Sequence, residues 1–102
     1  MATNLANGKG NALTATTSAA QEVLHAATQG ETQLFATVLR IWNEGAVPVK
    51  IVKNSTAAGF TIATGMEIPA GEDLYIFGGR NPITSFAYAT ESGSAAITYS
   101  AY

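Results

Sequence analysis

The chain has no cysteine, which removes disulfide staples and thiolate metal sites from consideration and leaves the redox compartment unreadable. It has one histidine, His25, so any catalytic triad or imidazole-based metal site would have to be built on that residue. Charge is also scarce. Charged residues make up 12% of the 102 positions, about half of what an ordinary soluble domain carries. The five basic residues, Lys9, Arg40, Lys50, Lys53 and Arg80, are scattered and the net charge is −2, so there is no electrostatic footprint for nucleic acid. No apolar run approaches the length of a membrane-spanning helix. The opening Met-Ala-Thr-Asn-Leu-Ala-Asn-Gly-Lys-Gly has too little apolar content for a signal peptide. These absences lead to the expectation of no membrane, no nucleic acid, no metal, no cofactor and no catalytic residues.

Apolar residues are plentiful at 47%. With so few charges, the exterior has to be built from Thr, Ser, Ala, Asn and Gly, a surface that loses water at little cost when it meets a partner. The most informative stretch is Leu34 to Val52, in which two apolar runs flank Asn43-Glu44-Gly45-Ala46. It reads as a β-hairpin. In a small two-layer domain one face of a strand meets water and shows polar side chains at every second position. The first strand of this pair does not. Leu34, Ala36, Val38, Arg40 and Trp42 lie on one face, and Phe35, Thr37, Leu39, Ile41 and Asn43 on the other. Either the chain itself or another subunit must cover the second apolar face, and the assembly reading is the stronger for so short a chain. Phe35, Leu39, Trp42, Tyr75 and Phe77 are the candidate interface residues.

Met1 to Asn11 reads as a flexible polar arm and residues 12–102 as one domain. Ala12 to Ala19 suits an edge strand. Gln21 to Ala27 is ambiguous, since Ser18-Ala-Ala-Gln21 has the form of a helical capping box, but the run is short and an extended segment is favoured. Short strands are expected at Phe60 to Thr64, Asp73 to Phe77, Ile83 to Ala89 and Ala95 to Tyr102. They are separated by turn signals such as Ile68-Pro-Ala-Gly71 and Ser92-Gly-Ser94. About eight short strands with few helical signals predict an all-β domain, an antiparallel sandwich or jelly roll.

Chemistry is thinly represented. Adjacent residues in a strand point to opposite faces, so Glu72 and Asp73 cannot act on one substrate, whereas Glu67 and Glu72, flanking the Pro-Ala-Gly turn, could approach each other. Asn54-Ser55-Thr56 matches the glycosylation pattern, read here as chance. Tyr75, Tyr88, Tyr99 and Tyr102 with Trp42 could form a platform for sugar or peptide, although core and interface packing is the better reading.

Gln21-Glu-Val-Leu24, then Leu34-Phe35 leading to Arg40-Ile-Trp-Asn43, then Gly45 and Pro48-Val-Lys-Ile51 together resemble small virion proteins of tailed bacteriophages over about Gln21 to Tyr102. The resemblance implies a β-sandwich that serves as a capsid decoration or cement protein. As a dimer or trimer, it would bridge the major capsid protein or other virion proteins on the capsid surface after assembly in the host cytoplasm. It also implies that Gln21 to Ala27 is a strand. The competing expectation is a carbohydrate- or receptor-binding module of tail, fibre or adhesin type.

Overall fold

The computed structural model describes residues 11–24 and 36–101, with Asn11 described by its backbone. The arm up to residue 10, His25, Phe35 and Tyr102 therefore lie outside the described residues. The rest is all-β. Eight strands occur in chain order: β1 (Asn11–Ala15), β2 (Ala20–Val23), β3 (Val38–Asn43), β4 (Val49–Lys53), β5 (Met66–Ile68), β6 (Asp73–Phe77), β7 (Ser85–Ala89) and β8 (Ala95–Ala101). They form two four-stranded antiparallel sheets, ordered β1-β8-β3-β6 and β2-β7-β4-β5. Every connection except β4 to β5 changes sheet, which is the double Greek key of a jelly roll. The alternatives of sandwich and jelly roll thus resolve to the second.

Alternation places the core. Leu39 and Ile41 of β3, Ile97 and Tyr99 of β8, and Ile76 of β6 face Val49 and Ile51 of β4 and Phe86 and Tyr88 of β7, all of them buried. The Phe86 ring meets Tyr99 edge-on at 5.2 Å and Tyr88 tilted at 5.6 Å, the offset geometries that the ring quadrupoles favour. Strand β2 bears out the extended reading over Gln21 to Val23, pairing Ala20 with Tyr88 and Val23 with Ser85, while residues 25–27 of that segment lie outside the described residues. Strand β1 lies at a sheet edge, as its Thr-rich sequence suggested.

Three expectations are corrected. Leu34 to Val52 is not a hairpin. Strand β3 is paired along both of its edges by β6 and β8, and β4 along both of its edges by β5 and β7, so the chain from Asn43 to Val49 passes from one sheet to the other. Asn43 makes the crossing. It is fully buried, and its Nδ2 donates to the carbonyls of Val47 at 2.8 Å and Ile68 at 2.9 Å while its Oδ1 accepts from Gly45 N–H at 2.9 Å. Gly45 is required there, because a Cβ would lie 2.5 Å from Ala95 Cβ. The second correction is Phe60 to Thr64. Instead of a strand it contains a single 3-10 turn, Ile62–Thr64, and the Thr64 hydroxyl also donates to Thr61 O at 3.0 Å, a local bond that competes with sheet pairing. The third is Leu39, a candidate interface residue, which is fully buried in the chain's own core.

Candidate interface on the outer sheet face

Because paired residues in an antiparallel ladder share a face, the registers define the outer surface of the β1-β8-β3-β6 sheet rung by rung. Ala12, Thr98, Trp42 and Asp73 form one rung across all four strands. Ser100, Arg40 and Tyr75 form the next, and Val38 with Phe77 the one after. Trp42 is 42% exposed, Tyr75 51% and Phe77 66%, and all three sit on the β3–β6 half of the face. Met66 of β5, in the other sheet, is the further large apolar side chain left in water among the described residues.

Arg40 organises this half. Its Nε donates to Asp73 Oδ2 at 2.9 Å, and its guanidinium lies 4.4 Å from the Trp42 ring centroid and 5.4 Å from that of Tyr75. A guanidinium held over two rings and neutralised by a carboxylate is a stacked, fixed arrangement. Among the described residues, the other half of the face, on β1 and β8, carries the small side chains Ala12, Thr14, Ala96, Thr98 and Ser100. The face is thus an aromatic ridge beside a low floor.

Three of the five interface candidates, Trp42, Tyr75 and Phe77, come together here. Their convergence follows from alternation once β3 and β6 are paired, and that pairing was not readable from either strand alone. Arg40 and Asp73, not anticipated as part of the site, are drawn in by the same register. The proposed tyrosine platform is dispersed, since Tyr88 and Tyr99 are buried in the core. Tyr99 donates to Glu22 Oε2 at 2.6 Å across the two sheets. Burial, with the nearby Glu22 carboxylate second, raises the pKa of Tyr88 above its ordinary value.

Lys50 lies 3.5 Å from Glu67 and 4.0 Å from Glu91, lining with Pro48 and Ser92 a depression of about 260 Å³. Asn54, the head of the glycosylation pattern, holds a left-handed backbone with φ 54°. Its side chain accepts from Thr84 N–H at 2.8 Å and donates to Pro82 O at 3.2 Å, so the amide nitrogen is already engaged. Among the described residues no three or more His, Cys, Asp or Glu side chains gather as a metal site would need.

No family model matches the chain, and no curated protein does. Among solved structures it is similar to PirA, with a TM-score of 0.55 and 11% identity over 91% of this chain and 93% of that one. It is also similar, at a TM-score of 0.47 and 16% identity over 99% of this chain and 89% of the other, to a structure from a description of Bacillus endospore appendages as a family of disulfide-linked pili. The first likeness establishes a shared fold and nothing more, and the second is too loose to add to it. Disulfide linkage is in any case closed to a chain without cysteine. Neither description concerns a phage virion, so the resemblance seen in the sequence has no counterpart in these structures.

Proposed function

We propose that this chain is a non-enzymatic structural protein that works by docking its aromatic sheet face onto other protein. The observation that carries the reading is the exposure of Trp42, Tyr75 and Phe77 together on one rigid face. Aromatic side chains at that density are what stable contacts are built on, and a sheet holds their backbone in place, which lowers the ordering cost of binding. In its finer form the proposal is a phage capsid decoration or cement protein, located on the virion surface and bridging major capsid subunits. That form draws its support from the sequence resemblance. Many such contacts repeated over a shell add up by multivalency even where each is modest.

A carbohydrate- or receptor-binding module would use the same aromatics as a stacking platform. The position of Arg40 weighs against it. Its guanidinium lies 4.4 Å from the Trp42 centroid and occupies the ring face that a sugar would need. The test is co-sedimentation of the full chain with assembled capsids and other candidate particles, together with light scattering of the chain alone. Binding or self-association that drops at least about tenfold in Trp42→Ala and Tyr75→Ala, as buried aromatic anchors require, supports the reading. A wild-type chain that stays monomeric and ignores every particle, but whose fluorescence responds to glycans, would replace it with the binding module.

A further inference from the structure

We infer that the occupant of this face is a second copy of the same chain, stacked sheet on sheet about a two-fold axis that runs along the strands between β8 and β3. The inference rests on the docking reading above and names its partner. Shape comes first. The described charges on the face are Arg40 and Asp73, bonded to each other at 2.9 Å, and, at its end, Glu44, whose N–H donates to Ala96 O at 2.9 Å, so the face presents no cluster of one sign for an acidic or basic partner to recognise. A two-fold contact demands instead a surface complementary to itself, and a ridge on one half beside a floor on the other meets that demand.

Area then decides how the copies meet. With about 150–250 Å² for each side chain, the exposed fractions of Trp42, Tyr75 and Phe77 leave about 240–400 Å² of aromatic surface in water. A stable contact buries about 800 Å² on each partner. Stacking ridge on ridge would therefore fall short by about half or more and would hold the small-residue floors apart. Stacking ridge on floor covers both halves at once. Only an axis parallel to the strands does this, because it exchanges left and right across the sheet while keeping each rung at its own height.

The register gives the contacts. The rung Ala12, Thr98, Trp42, Asp73 maps onto itself in reverse, so Trp42 of each copy lies on Thr98 of the other and Asp73 lies over Ala12. In the next rung, Arg40 lies over Ser100. Sheets in such a stack sit about 10 Å apart, a gap that a Trp against a Thr fills.

The closing experiment is sedimentation equilibrium of the full chain over a concentration series, with Trp42→Ala, Ala12→Glu and Ala12→Lys. Ala12 is exposed on an edge strand, so its substitution leaves the core untouched, and circular dichroism verifies that each variant is folded. A reversible wild-type dimer is expected. Trp42→Ala should weaken it at least about tenfold. Ala12→Glu should weaken it several-fold by facing Asp73 of the other copy, and Ala12→Lys should leave it as tight or tighter. A dimer that Trp42→Ala abolishes but both Ala12 variants leave unchanged overturns the ridge-on-floor arrangement. A monomer at every concentration that still loses particle binding in Trp42→Ala overturns the second copy as partner while keeping the docking function. A monomer whose particle binding ignores Trp42→Ala removes both.

Discussion

Replacing Asn43 should damage the fold more than any surface change, and the size of the loss can be worked from its contacts. Asn43→Ala removes three hydrogen bonds, from Nδ2 to Val47 O and Ile68 O and from Gly45 N–H to Oδ1. Each contributes about 1 kcal/mol net, and a buried carbonyl left without a partner costs about 1–3 kcal/mol more. The Ile68 bond is the buried one, so the expected loss is about 4–6 kcal/mol, a large part of the roughly 5–15 kcal/mol that holds a domain together. With a urea slope of about 2 kcal/mol per molar, the midpoint should fall by about 2–3 M, read by circular dichroism and Trp42 emission. Asn43→Asp sharpens the test. At neutral pH its carboxylate would point at two carbonyl oxygens where an amide nitrogen now donates, so it should be less stable than Asn43→Ala. That geometry raises the folded-state pKa of the new carboxyl above its unfolded value. The stability it retains is then fully present below the unfolded value of about 3.9 and lost as pH rises through the folded one. A loss below about 1 kcal/mol for Asn43→Ala, or an Asp variant at neutral pH as stable as the Ala variant, would refute the claim that this amide joins the two sheets.

Gly45→Ala should destabilise by about 1–3 kcal/mol through overpacking, because its Cβ would meet Ala95 Cβ at 2.5 Å and Ala95 Cα at 2.6 Å; thermal melts check it. Tyr99→Phe breaks the bond to Glu22 and should lower stability by about 1.5–3 kcal/mol in urea titration. Tyr88, with its pKa raised chiefly by burial, contributes stability that is complete below the unfolded value of about 10 and lost as pH climbs through the raised folded value. Tyr88→Phe should therefore flatten the alkaline loss of stability, measured as urea midpoints across that range. Arg40→Ala should change stability by no more than about 1 kcal/mol, since its ion pair with Asp73 is partly solvated, yet should shift Trp42 emission by uncovering the ring.

Strand positions were legible because alternation and turn residues are local signals. Asp73 to Phe77 matches β6 residue for residue, and Ala95 to Tyr102 covers β8. Connectivity was not legible. Leu34 to Val52 has the pattern of a hairpin, but nothing in two apolar runs says whether they pair or face each other across a core. Asn43 was the missed signal: an Asn read as a turn residue is instead buried, with every bond directed at backbone. The same ambiguity misplaced Leu39. With apolar residues on both faces of β3, the parity of the buried set depends on which neighbours the strand acquires. Trp42, Tyr75 and Phe77 were named as interface candidates one by one. Their common face, and the role of Arg40 within it, required the register.

The strand order has a consequence for how the molecule is made. Strand β8, the last of the eight to leave a ribosome, sits between β1 and β3, so until it emerges both neighbours present open edges and the sheet cannot close. The nascent chain must hold β1 in reserve for a partner more than eighty residues away, Asn11 waiting for Tyr99. Such distant pairings make folding slow and leave strand edges exposed meanwhile. An apolar chain of this kind is safest when its copies are few or its chaperones plentiful, and the neutral floor of β1 and β8 that the finished sheet offers to a partner does not exist before that final step.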